Sequence, residues 1–338
     1  MCKRFSLLAL MALVAAGCAK ENTINTGEKA QKYLEMFIQK YYPYVNENEY
    51  GLFVLEDSPG TGSVWNENLA FTYSSTTIRS LSGTITSTTD ENLAKQLGSY
   101  ALGDYYGPKF QQTGEDKSFA GLDRLLTGMR VGGTRKAIIP SWLLTTKRYG
   151  TMKEYIDACS SEQHLVYTVT LAGQSTDIVE TEKDSLSRYV QRHYGSVQPS
   201  AYNSDDPDGS FYFISDSTAF IGTPRFPADT IIQLNYTGKL LNGQVFDTTI
   251  EKVAKDAGIY SSSKSYKPVS LTIATNYSEF KMDGASSLIT GFESGLKKMR
   301  WLNQKATVLF ISNLGYTSSG SGQTIPPYSP LLFELELK

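Results

Sequence analysis

The stretch from Ile311 to Leu337, ISNLGYTSSGSGQTIPPYSPLLFELEL, sets Tyr316 on a Gly/Ser-rich segment shortly before an Ile-Pro-Pro. A phenol held at the edge of such a segment can donate a hydrogen bond to a carbonyl. The two prolines then turn the chain into an alternating strand. Elsewhere, side chains that usually carry chemistry are sparse. His164 and His193 are the only histidines, and neither has a Cys/His neighbourhood, so no metal site and no cofactor is expected. No Gly-x-Ser-x-Gly elbow supports a serine nucleophile. The GSGQT run has the glycines of a phosphate loop but lacks the Gly-Lys-Ser/Thr ending, and it leads to a strand rather than a helix.

The chain has 338 residues, of which 40% are hydrophobic and 20% charged, with a net charge of −2. That length accommodates two cores. No basic block stands out, which argues against a nucleic-acid partner. Lys3 and Arg4 precede the apolar run FSLLALMALVAAG, which is short for a bilayer span and ends at Gly17-Cys18. Small residues Ala15, Ala16 and Gly17 before a cysteine resemble a bacterial lipobox with Cys18 as the lipidated residue; the other reading is a plain secretory signal cut near Ala16. Either processing leaves Cys159 without a disulfide partner inside the fold, so packing must supply stability. Residues 1–18 are read as signal peptide and 19–27 as a tether, placing the protein in the cell envelope, on the periplasmic side or the outer-membrane surface.

The remainder follows one plan used twice. Glu28 to Tyr44 shows helical spacing through Ala30, Tyr33, Leu34, Phe37, Ile38 and Tyr41, and Glu182 to Tyr194 repeats it with Leu186, Tyr189, Val190 and His193. Short aromatic strands follow, GLFVL and SFYFI. The next strands pair Leu69, Phe71 and Tyr73 with Ile232, Leu234 and Tyr236. Both units close on alternating strands, LVYTVTL and LLFELEL. A helix is expected at TGFESGLKKM, with Thr290 and Glu293 as a capping box, and its counterpart at GLDRLLTGM. The YYPY run at Tyr41 is expected to be a helix end packed on the first unit. These patterns predict an α+β fold built on antiparallel sheets.

Three segments in order resemble the FKBP-type peptidyl-prolyl isomerases: NYTGKLLNGQVFDTT from Asn235, SLITGFESG from Ser287, and the Leu-Gly-Tyr, Gly/Ser flap and Ile-Pro-Pro of the C-terminal stretch. Together they cover most of residues 210–338. The resemblance implies two such domains, each an antiparallel half-barrel sheet wrapped on one short helix and preceded by an amphipathic helix. The expected boundaries are 28–173 for the first, 174–209 for a linker with its helix, and 210–338 for the isomerase domain. It further implies a prolyl pocket with Tyr236, Phe246, Asp247 and Tyr316 acting on the substrate. Leu288, Ile289, Phe292, Ile325 and Phe333 would line it, with Val269 at a further wall.

Such a pocket suits the reaction, because an X-Pro bond crosses its barrier by losing amide resonance and no proton need move. Phe292 stands where the family often has tryptophan, Val269 where it commonly has an aromatic, and Thr317 where a glycine usually follows the tyrosine. The insertion IEKVAKDAGIYSSSKSY separates Phe-Asp from the next strand and is placed to cover or reshape the entrance. The first unit is similar through GMRVGGTRKAIIP, with Tyr73 and Tyr167 set against Tyr236 and Phe333. Yet Thr86 and Ser87 replace Phe-Asp, and Leu144-Thr145-Thr146 replace the flap tyrosine, so it is read as a non-catalytic copy. The expected function is prolyl isomerisation of proline-containing peptides or unfolded exported proteins. The alternatives are a non-catalytic peptide-binding or chaperone lipoprotein on the same scaffold, and capture of glycans or peptides by exposed tyrosines.

Overall fold

The computed structural model describes residues 24–202, 206–215, 226–274 and 278–338; the apolar N-terminal run and Cys18 lie outside them. No described helix is long and apolar enough to cross a membrane. The first domain runs α1 (Thr26–Tyr41), β1 (Phe53–Ser58), β2 (Phe71–Ser80), β3 (Ile85–Thr88), α2 (Glu91–Gln96), β4 (Lys109–Gln112), α3 (Ala120–Leu126), β5 (Thr134–Ile139), α4 (Met152–Asp157), β6 (Leu165–Ser175). The second runs α5 (Ile178–Tyr194), β7 (Phe211–Ser215), β8 (Thr230–Leu240), β9 (Val245–Thr248), α6 (Glu251–Asp256), β10 (Val269–Ile273), β11 (Phe280–Met282), α7 (Thr290–Lys298), β12 (Lys305–Phe310), β13 (Leu331–Leu337).

Both sheets are antiparallel. The first has the order β1-β5-β6-β2-β3 with β4 also on β2; the second has β11-β10-β8-β13-β12-β7 with β9 also on β8. Each domain has its own apolar core, and α3 and α7 pack against their sheets as expected. Each domain also carries further short helical segments beside the one packed on its sheet. The α1 helix begins where Asn25 accepts a hydrogen bond from the Glu28 N–H (2.8 Å). It ends at Tyr41 rather than Tyr44, because Pro43 cannot continue it. Its buried stripe is Ala30, Leu34 and Ile38, while Tyr33, Tyr41 and Tyr44 are exposed; of YYPY, only Tyr42 packs on the first core.

Strand register settles how the two domains correspond. In the second, Thr237 and Gly238 lie opposite Thr248 and Asp247; in the first, Thr77 and Ile78 lie opposite Thr88 and Ser87. Hydroxyl pairs mark the same point in both, Thr237 to Thr248 at 2.9 Å and Thr77 to Thr88 at 2.8 Å. The Tyr236 N–H donates to Thr249 Oγ1 as the Thr76 N–H donates to Thr89 Oγ1. Thr76, not Tyr73, therefore occupies the place of Tyr236. An alternating pattern locates a strand, but the turn and cross-strand contacts choose its register.

Two local expectations change. Thr290 is the first residue of α7, and the cap position is Ile289, with no side-chain cap bond. Ile289 packs on the core, so the helix opens one residue earlier than a threonine cap requires, and Glu293 pairs instead with Lys297 (2.9 Å). His193 is exposed and stacks on Tyr189 of its own helix at 4.2 Å, off the buried stripe that Leu186 and Val190 form.

The helix preceding each sheet is tied to a serine in a 3-10 turn, the one after β5 in the first domain and the one after β12 in the second. In the second domain Glu182 of α5 accepts from the Ser312 N–H and from its hydroxyl (2.6 Å). In the first, the Ser141 N–H donates to His164 Nδ1 (3.0 Å), which leaves Nε2–H to donate to the Ala30 carbonyl on α1 (3.0 Å). His164 is buried, and burial holds its pKa down at about 4.

A histidine whose folded-state pKa lies below its unfolded value adds stability above the unfolded value, and that contribution is lost as pH falls through the folded one. The unfolding free energy of the first domain should therefore decline from about pH 6.5 toward pH 4. Denaturant titrations across that range would show His164→Gln flattening the decline while lowering neutral-pH stability by about 1–3 kcal/mol; an unchanged pH slope would exclude His164 from the tie.

Candidate active site

Adjacent strands bring the candidate residues together. Phe333 on β13 faces Gly238 on β8, which faces Asp247 on β9. Tyr236 lies two residues before Gly238, and Phe246 precedes Asp247. Phe292 comes from the first turn of α7, with Leu288 and Ile289 leading into it. Tyr316 follows the 3-10 turn Ser312–Leu314, and Ile325 closes the flap. Phe292, Ile325 and Phe333 are buried, while Tyr236, Phe246, Asp247, Leu288, Ile289 and Tyr316 are half-buried around them. Val269, the first residue of β10 opposite Leu234, packs at the edge of the same core.

The floor is a cluster of edge-to-face rings. Phe292 meets Phe333 at 4.9 Å, Phe246 meets Phe333 at 5.5 Å, and Tyr236 meets Phe292 at 5.6 Å, the geometry that aromatic quadrupoles favour. Gly238 permits it. A Cβ at that position would stand 2.5 Å from the Phe246 ring and 2.9 Å from Phe333. In the first domain Ile78 takes this position, while Thr86 and Ser87 hold the places of Phe246 and Asp247. Leu122 replaces Phe292, Thr145 replaces Tyr316, and α4 follows where the second domain has its flap. The first copy has thus filled the site as well as losing its polar groups.

Asp247 does not stand free at the rim. Its Oδ2 accepts from the Tyr236 hydroxyl (2.7 Å), its Oδ1 accepts from the Thr248 N–H (2.9 Å), and Lys264 forms an ion pair with Oδ1. Burial, and then the negative charge on Asp247, push the Tyr236 hydroxyl far above the ordinary tyrosine value. The same two causes raise Tyr316. Among the described residues, the Tyr316 hydroxyl has no hydrogen-bond partner. It is a protonated donor packed against the core that holds those rings, and it feels the charge of a carboxylate already engaged by Tyr236 and Lys264.

The flap is closed by its own backbone. Gly320 donates to Tyr316 O (3.0 Å), and Ser321 and Ile325 exchange two hydrogen bonds (2.8 and 3.1 Å). Gly320 has φ +62°, and a Cβ there would lie 2.2 Å from Ile325 O, so only glycine fits. Thr317 takes φ +52°, in the left-handed region its β-branched side chain disfavours. Its N–H to Ser312 O and its carbonyl from Tyr328, both 2.9 Å, hold it there.

Sequence reasoning missed two residues here. Gly238 was visible only as the third letter of Tyr-Thr-Gly, against Ile78 in Thr-Thr-Ile. Lys264 lies in the insertion, with no local pattern to mark it. The insertion itself is no peculiarity of the second unit. Its α6 and stacked Tyr260–Tyr266 pair (5.3 Å) recur in the first as α2 and Tyr100–Tyr106 (5.2 Å).

Residues 223–338 match the family model of the FKBP-type peptidyl-prolyl cis-trans isomerases. A peptidyl-prolyl cis-trans isomerase of Schizosaccharomyces pombe is 32% identical over 111 residues, which cover 33% of this chain and 77% of that protein. A probable FKBP-type peptidyl-prolyl cis-trans isomerase of Haemophilus influenzae is 31% identical over 106 residues, covering 31% of this chain but only 33% of that protein. A crystal structure of a Pseudomonas syringae peptidyl-prolyl cis-trans isomerase aligns at a TM-score of 0.30 and 21% identity, covering 47% of this chain and 90% of that one. Given the identity to the Schizosaccharomyces pombe protein over most of that protein's length, and the family-model match across the segment that holds the ring cluster and the flap, the chain belongs to the FKBP-type peptidyl-prolyl cis-trans isomerase family.

Proposed function

We propose that the C-terminal domain catalyses cis-trans isomerisation of X-Pro bonds in exported, incompletely folded proteins, and that Cys18 anchors the chain to a membrane of the envelope through a lipid. The observation that carries the catalytic reading is the Tyr316 hydroxyl, without a hydrogen-bond partner among the described residues, on a side chain packed against the core that holds Phe292 and Phe333. A proline ring seats on those rings, flanked by Phe246, Leu288, Ile289 and Ile325, with Val269 bounding the edge. Burial strips water from the imide, and the twisted state, with less charge separation than the planar amide, loses less by that desolvation. Tyr316 donates to a carbonyl of the peptide. Asp247 holds Tyr236 in place and sets a negative charge at one side of the pocket; Lys264, ion-paired to that carboxylate, orients it. No covalent intermediate forms and no proton is transferred.

The support for export is the signal-like N-terminal run ending at Cys18, which labelling with a radioactive fatty acid tests directly; label retained by a Cys18→Ser chain would sink the anchor. For catalysis, full-length protein should accelerate isomerisation of a prolyl tetrapeptide. Tyr316→Phe should reduce kcat/KM by roughly tenfold, the value of one hydrogen bond to substrate, with the melting temperature unchanged. Equal rates for wild type and variant would remove Tyr316 from the mechanism, and a folded wild type no faster than the uncatalysed reaction would leave a non-catalytic peptide binder. Gly238→Ala forces apart the Phe246 and Phe333 rings; it should cost about 1–3 kcal/mol in unfolding free energy and abolish most activity. An active, fully stable Gly238→Ala protein would show that the ring contact does not shape the pocket.

A further inference from the structure

The insertions of the two domains meet at the domain interface, beside the isomerase pocket. The Leu102 side chain lies over Gly258, just after α6, so closely that a Cβ there would stand 2.8 Å from it. Gly103 faces the Ile259 side chain. Two hydrogen bonds continue the contact. Gln244 Nε2 donates to the Gly103 carbonyl (3.0 Å), and the Tyr105 N–H donates to the Gln323 carbonyl (2.8 Å).

The placement of the two partners is what matters. Gln244 sits two residues before Phe246, at the tip of the β8–β9 hairpin. Gln323 sits two residues before Ile325, on the flap that begins with Tyr316. One loop of the first domain therefore grips both segments from which the pocket's rings and its hydroxyl donor project. The loop is itself well held. The Tyr106 hydroxyl accepts from the Ala101 N–H (3.1 Å) and its ring stacks on Tyr100, while the Tyr105 hydroxyl donates to Pro108 O (3.0 Å). Tyr105 packs against the C-terminal core and walls a groove of about 240 Å³ between the domains, together with Tyr73, Phe110, Pro326, Pro327 and Tyr328. Phe71 meets Tyr328 edge-on at 5.2 Å.

The flap needs such a hold. Fixing one backbone residue costs roughly 1–2 kcal/mol, and the Gly/Ser run from Ser318 to Gly322 contributes few side chains to offset it. A flap ordered before the peptide arrives spares that cost at binding.

We propose that the loop from Tyr100 to Tyr106 is a positioning element of the isomerase site, with Tyr105 as its centre, holding the flap and the β8–β9 hairpin at a set spacing. The first domain, in which Ile78 fills the place of Gly238, is then a wall of its neighbour's site. The inference rests on the site assignment above, and flap order can be read whether or not the chain turns over.

The test is the full-length chain carrying Tyr105→Ala together with Gln244→Ala, which removes the packing that seats the loop and one of its two hydrogen bonds. Amide hydrogen exchange should show protection at Gly320 and Ser321 falling by about tenfold, with β12 and β13 amides unchanged. In the isomerase assay KM should rise with little change in kcat, and the effect of Tyr316→Phe should shrink in this background, because the two act through one element. Unchanged flap protection overturns the proposal, as does a lowered kcat/KM with flap protection intact. A wild-type chain with protected flap amides but no turnover would instead count against the isomerase reading alone.

Discussion

The C-terminal site depends on one contact, the meeting of the Phe246 and Phe333 rings across the bare backbone of Gly238. Three strands have to agree for it to form: β13 supplies one ring, β9 the other, and β8 the gap between them. Once the rings meet, Phe292 has a surface to stand on, Tyr236 packs against Phe292, and the Tyr236 hydroxyl falls within reach of Asp247. The polar side of the site is thus a consequence of its apolar side. The first domain shows what happens when the gap is closed. It has the same pairing register and the same hydroxyl ladder, but a branched side chain projects from the strand where the rings would meet.

Much of this was legible in the sequence because the informative residues fall in short runs. Tyr236, Phe246, Asp247 and the Tyr316 flap sit in segments whose local chemistry is distinctive, and the structure brings them to one place. Register was not legible. Phe71 and Tyr73 alternate in the same way as Leu234 and Tyr236, yet a three-residue slip separates that likeness from the true pairing, which Thr77 and Thr88 decide across the strands. Lys264 was invisible for a related reason: its partner lies seventeen residues away, across a helix and a turn. The recurrence of the insertion was obscured by dissimilar residues between shared landmarks, the paired tyrosines and the short helix.

The polar ties between helix and turn show how one framework tolerates different chemistry. Glu182 reaches Ser312 directly with two oxygens, whereas in the first domain a histidine bridges Ser141 to a helix carbonyl. Both arrangements satisfy a buried N–H that would otherwise lack a partner, which is why neither position is free to become apolar without a second change nearby. They differ in how they respond to acid. The histidine tie is lost when protonated, while burial raises the Glu182 carboxyl, so that a proton there is retained more readily in the folded chain. The two halves of the molecule accordingly lean in opposite directions as pH falls.

The Glu182 contact also redraws where the second domain begins. Judged by its sheet, that domain starts near Ser210, and the family match begins later still. Judged by what its flap stands on, it starts at Asp177, whose side chain caps α5 through the Val179 and Glu180 amides (2.9 and 3.1 Å). The turn beneath Tyr316 rests on that helix. What looks along the chain like a connector is a foundation, and the joint between the two domains is no longer than the few residues that separate β6 from α5.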